Sequence, residues 1–191
     1  NESDVDLDRY AEVLPDLYRD LDDKLGEILD LVEDEYGEPP LVSVVSDHGM
    51  TSLERIFHVN KWLSENGYLT FKDEYDHTIG DEVSEKLDDR VEYIFGKVDW
   101  DETNAYSIGK RGAIYLNLEG REPEGSVPKE KYDEIVESLR EDLQEVTDPK
   151  TGENVVLEVN TRAELFHGEH TAKAPDILVR MADGYYPFGY A

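Results

Sequence analysis

The chain has 191 residues, 47 acidic against 19 basic, a formal net charge of −28 and no cysteine. That length can bury a sizeable core without covalent staples, and the lack of cysteine excludes disulfides, thiolate metal sites and cysteine nucleophiles, so any metal would be held by carboxylates and imidazoles. The acid is dispersed along the chain, which reads as a solvated folded surface, and Lys and Arg never cluster into a face that could bind a nucleic-acid duplex.

From Tyr10 to Val32 the apolar residues Tyr10, Leu14, Leu17, Leu21, Leu25, Ile28 and Val32 fall three and four apart, which predicts one face of a helix. Pro15 belongs in its first turn, and Gly37 with 39-PP-40 ends it. The run 41-LVSVV-45 is short, β-branched and apolar, the pattern of a strand buried on both faces of a parallel sheet. Asn60 is expected to cap a short helix over 61–66 that Gly67 closes, with a small strand at 68–71. The polar stretch from Lys72 to Asp101 reads as a boundary or surface excursion.

Two strand-like runs, 105–108 and 113–118, flank the turn 109-GKRG-112. Pro128 opens a helix with Tyr132, Ile135, Val136, Leu139, Leu143 and Val146 on its apolar face, and 148-DPKTG-152 is a turn before a strand at 154–159. Thr161 and Glu164 have capping-box spacing. A second buried strand is expected at 176–181. The order predicts an α/β chain: residues 1–71 and 170–191 as core pieces, and 73–165 as an inserted α+β unit on the substrate side. No run of about 18 apolar residues, the length of a spanning helix, is present. The chain opens at Asn1 without an initiator Met or a signal-like segment and closes at 188-FGYA-191, so it reads as part of a longer one.

The residues with most chemical promise are Asp47 and His48, placed where the strand 41–45 should end. Ligands of open α/β sheets bind at the carboxyl ends of strands, and a carboxylate beside an imidazole suits zinc or manganese. The structural alternative is a turn-capping Asp47 and a packed or solvated His48. His58 and His77 read as a packed and a solvated histidine. His167 and His170, flanking Gly168, are candidate substrate or metal contacts or else surface residues. Arg121 is either a phosphate hook or an ion pair holding a turn.

The string 46-SDHGM-50 after an apolar run resembles the metal-binding motif of the alkaline phosphatase superfamily, in particular the type I phosphodiesterase and nucleotide pyrophosphatase branch. The blocks 60-NKWLSENGYL-69, 99-DWDETNAYS-107, 114-IYLNLEGREPEG-125, 164-ELFHGEH-170 and 174-APDILV-179 resemble that family in the same order. The resemblance implies a three-layer α/β core with two divalent ions, zinc or manganese, and a phosphate-ester or nucleotide substrate. It makes Asp47 and His48 ligands of one ion. It also places the first metal Asp, the Thr or Ser nucleophile and further His ligands in a remainder of the parent chain, leaving no catalytic nucleophile within these residues. Together with the acidity it implies a C-terminal fragment of a haloarchaeal protein from a high-salt cytoplasm. Sulfatase, phosphonate hydrolase and phosphoglycerate mutase branches, and a non-catalytic interaction domain, are the alternatives.

Overall fold

The computed structural model describes residues 10–72 and 95–189, so His77 and the middle of the polar stretch lie outside the described residues. It is a mixed α/β structure of two compact units, Asn1–Met50 and Thr51–Ala191. No described helix is long and apolar enough to cross a membrane.

The first unit is built on helix α1, Val13–Tyr36. Its end follows the sequence closely: Gly37 adopts φ 78°, where a side chain would be strained, and its N–H donates to the Glu33 carbonyl at 2.7 Å. The apolar stripe forms on schedule, yet no residue of α1 is buried. The expected strand 41–45 does not form, and Val44 and Val45 are exposed. A strand of that kind needs neighbours to take its backbone N–H and C=O groups, and the described residues of this unit supply one helix and no second strand.

The second unit begins with β1, Arg55–His58, which runs into helix α2, Val59–Glu65. Strand β1 pairs in parallel with the last strand, β6, Tyr185–Phe188, in the register Arg55 opposite Tyr185 and His58 opposite Phe188. Neither strand stands out in the sequence, because each is four residues long, β1 with Arg55 and His58 at its ends and β6 with Pro187 inside it. Parallel strands need a long crossover. Here the crossover is the antiparallel body of the unit.

That body is a four-stranded sheet ordered β2 (Ala105–Ser107), β3 (Ala113–Leu116), β5 (Ile177–Met181), β4 (Val156–Thr161). The strand at 177–181 was expected with the core pieces. It lies instead between β3 and β4, with Ile114 opposite Ile177 and Thr161 opposite Ile177 on the other side. Its inward set Ile177, Val179 and Met181 alternates with outward residues, as a half-buried strand requires. Helix α3, Tyr132–Gln144, packs against β4 and buries Val136, Leu139 and Leu143, three of the apolar positions the spacing marked. At Gly112, φ is 65° and an added Cβ would press on the Val179 carbonyl, so the turn between β2 and β3 requires glycine.

Two smaller expectations resolve differently. Helix α4, Arg162–Leu165, carries the anticipated capping box, with Thr161 N–H donating to Glu164 at 2.7 Å. Asn60 does not cap α2. It is fully buried inside the helix, where its amide donates to the Ser107 and Gly189 carbonyls at 2.9 and 2.5 Å and accepts from Ser107 N–H at 2.7 Å.

Candidate functional site

In the first unit, Asp47 and His48 lie on a segment without regular secondary structure that bends at Asp47, both exposed. Ser46 Oγ donates to the His48 carbonyl at 2.8 Å, which draws the chain into a local turn. His48 Nδ1 lies 2.9 Å from the Gly49 carbonyl. His48 Nε2 is 3.3 Å from Asp47 Oδ2. One short turn therefore sets the His48 imidazole against the neighbouring Asp47 carboxylate. Among the described residues, no group of three or more His, Asp or Glu side chains could hold an ion by itself. Asp47 and His48 alone make an incomplete donor set for an ion.

In the second unit, Arg121 sits just after β3 and is used structurally. Its Nη1 and Nη2 donate to the two carboxylate oxygens of Asp176 at 2.9 and 2.6 Å, Nη2 also to the Leu116 carbonyl at 2.5 Å, and Nε to Glu122 at 2.8 Å. Burial pulls the guanidinium pKa down, but Asp176 and Glu122 outweigh it and hold the group charged. This geometry matches the ion-pair alternative for Arg121 and commits four of its five donors. Asp176 itself is fully buried. It further accepts from Leu116 N–H at 2.8 Å and from the Tyr132 hydroxyl at 3.0 Å, and Arg162 Nη1 lies 3.0 Å away. The sequence reading passed over this carboxylate; Pro175 before it and the apolar run after it were the available signal, since an acid leading a buried strand must find partners.

His167 and His170 lie on the exposed loop before β5, with His170 Nε2 3.2 Å from Glu169. His58 stands edge-on to Phe188, the rings 6.0 Å apart at 87°.

A second network was also missed. Tyr185 OH donates to Asp148 Oδ2 at 2.5 Å, Arg55 Nη1 donates to the same oxygen and to Tyr185 OH, and Asp148 accepts Lys150 N–H at 2.7 Å at the head of the predicted 148–152 turn. The Tyr185 hydrogen bond first, then the backbone donors and Arg55, hold the Asp148 carboxyl down at about 2. Because its folded value lies below the unfolded one, Asp148 stabilises the fold above the usual carboxylate range and loses that contribution as pH falls toward 2. We expect the melting temperature of the wild type to drop between pH 4 and 2, and Asp148→Asn to be less stable at pH 6 with a flatter acid limb. Melting curves across that range check this; parallel limbs would exclude it.

Compared with known proteins, residues 6–191 match the model of the family described as type I phosphodiesterase / nucleotide pyrophosphatase. No curated protein and no solved structure gives a significant match.

Proposed function

The chain belongs to the type I phosphodiesterase / nucleotide pyrophosphatase family, hydrolases of phosphate esters and nucleotides, and from that premise we propose that it is the part of a metal-dependent hydrolase that supplies Asp47 and His48 to one of two divalent ions. The observation that carries the proposal is the family match across 6–191, which includes 46-SDHGM-50. The closeness of His48 Nε2 and Asp47 Oδ2 supports it. Asp47 would bring a carboxylate oxygen and His48 an imidazole nitrogen, and contacts of Ser46 and Gly49 shape the loop that carries them. A divalent ion held there, zinc or manganese, supplies Lewis-acid stabilisation of charge on the phosphoryl oxygens. The Thr or Ser nucleophile and the remaining ligands belong, on this proposal, to the rest of the parent chain. His167 and His170, on the loop before β5, are candidates in their own right for a substrate or metal contact.

Titration of the full-length parent with Zn²⁺ or Mn²⁺ tests the assignment. We expect saturable binding whose heat falls sharply in the Asp47→Ala/His48→Ala double variant, together with loss of phosphodiester hydrolysis. Binding that is unchanged by the double substitution overturns it, and a parent that binds no metal favours a non-catalytic domain.

We further propose that the dispersed acid, net −28, adapts the protein to concentrated salt. At about 1 M salt the screening length falls to roughly 3 Å, so most of the self-repulsion disappears. The melting temperature is expected to rise steeply from low to molar KCl. A flat response would show that the surface charge has no such role.

A further inference from the structure

The second unit contains a cavity of about 480 Å³ lined by β1, the start of α2 and the turn at 146–150, and none of the chemistry above uses it. A volume of that size lies within the range of about 300–1,000 Å³ typical of small-molecule sites. Its apolar walls include Phe57, Trp62, Val146 and Val155. Val155 belongs to the buried core and the other three pack against that core, so these walls are fixed by the fold. Trp62 is held in addition by Tyr68, stacked on it at 16° with centroids 6.1 Å apart.

The polar wall is the network of Arg55, Asp148 and Tyr185. Arg55 Nη1 donates to Asp148 Oδ2 and, at 2.9 Å, to Tyr185 OH, and the guanidinium lies over the Tyr185 ring, 5.8 Å from its centroid. This pairing occupies one end of the fork. Arginine has five N–H donors, and the three on Nε and Nη2 donate to no described residue. Asp148 has no such reserve: Oδ2 takes Tyr185 and Arg55, while Oδ1 takes the Lys150 and Thr151 N–H groups at 2.7 and 3.3 Å. The other acid among the lining residues, Glu54, packs against Gly184, and Lys150 in the same lining offsets its charge. A carboxylate only 4% exposed and a phenol therefore fix a guanidinium at the wall of a largely apolar cavity while leaving most of its donors unused. The paired N–H groups on Nε and Nη2 match the two oxygens of a carboxylate or phosphate.

We propose that this cavity binds a small organic anion, its carboxylate or phosphate head gripped by Arg55 Nε and Nη2 and its apolar body set against Phe57, Trp62, Val146 and Val155. The site is independent of the hydrolase assignment, since it uses neither Asp47 nor His48. The net charge of −28 opposes any anion at long range, but about 0.1 M salt screens that repulsion beyond roughly 10 Å, whereas the fork acts in contact.

Calorimetric titration of the 191-residue chain with phenylacetate, and with its neutral analogue phenylacetamide at the same ionic strength, tests the proposal. Phenylacetate is expected to bind roughly 10-fold more tightly, the size of effect that a charge-assisted pair of hydrogen bonds produces. Arg55→Lys keeps the charge and loses the fork, and should bring the two ligands to within about 3-fold of each other. Benzyl phosphate, titrated alongside, identifies the head: the anion that binds more tightly carries the group the fork suits, and either result supports the proposal. The wild-type comparison needs no variant, so it decides even where Arg55→Lys fails to fold. Phenylacetamide binding as tightly as both anions would mean an apolar cavity only, an unchanged preference in a folded Arg55→Lys would place the anion elsewhere, and absence of binding by both anions would mean no site; each overturns the proposal.

Discussion

Replacing Asp176 with asparagine is expected to destabilise the second unit by about 3–5 kcal/mol, the cost of breaking a buried ion pair by removing one partner. Asp176 is fully buried before β5, and its two oxygens receive Arg121 through both terminal nitrogens, the Tyr132 hydroxyl and the Leu116 backbone N–H, with Arg162 3.0 Å away. These partners come from β3, the loop after it, α3 and α4, so one carboxylate joins four segments distant in sequence. Asparagine keeps the shape but removes the charge facing two guanidinium groups, and it turns one acceptor into a donor aimed at donors. A loss of that size lowers the melting temperature of a domain this large by roughly 10 °C. Thermal denaturation followed by circular dichroism measures it, and a change below about 1 kcal/mol, the worth of an exposed pair, would show that the network does not stabilise the unit. Arg121→Lys provides a graded control: the charge survives, the two-pronged geometry does not, and the loss should be smaller.

Asn60→Ala is the second expected large effect. The amide fills three needs at once: the Ser107 N–H and carbonyl on the edge of β2, and the Gly189 carbonyl just after β6. All of this lies in a fully buried setting, and an unsatisfied buried polar group costs about 1–3 kcal/mol. Since the ends of β1 and β6 are joined through this side chain, a loss of about 3 kcal/mol or more is expected, accompanied by faster hydrogen exchange in the parallel β1–β6 pair. Exchange rates in that pair that match the wild type would show that the pairing holds without Asn60. Asn60→Asp separates the contributions: it retains the acceptor for Ser107 N–H but sets a carboxylate against two carbonyls, so it should be at least as damaging as alanine.

The features legible in the sequence are those whose cause is local. The three-and-four spacing from Tyr132 to Val146 marked the buried face of α3, because helical geometry alone puts those positions on one side. Gly37, the 148–152 turn and the Thr161–Glu164 capping box were legible for the same reason: each involves hydrogen bonds within a few residues. The apolar stripe of α1 was equally clear, but periodicity says which face is apolar and not what covers it, and no described residue of its unit does.

At the candidate metal site, the sequence marked Asp47 and His48 by residue type and motif. Their setting differs from expectation: the preceding run 41–45 is exposed and without regular structure, not a strand. The same apolar letters serve a strand only where neighbouring strands complete the ladder, a condition that composition cannot encode.

The sequence by itself determined the acidic surface, the absence of thiolate ligands, the main helices and turns, and, through motifs spread from 46 to 179, the family. Only the tertiary structure decided that the strand at 177–181 lies between β3 and β4, that Arg121 is bound to Asp176, that Asn60 bridges strand ends, and that Phe95, Trp100 and Tyr106 pack on one another. The first three join residues tens of positions apart. The partner of a buried polar or aromatic group is chosen by where the fold brings the chain back, and local spacing carries no record of it.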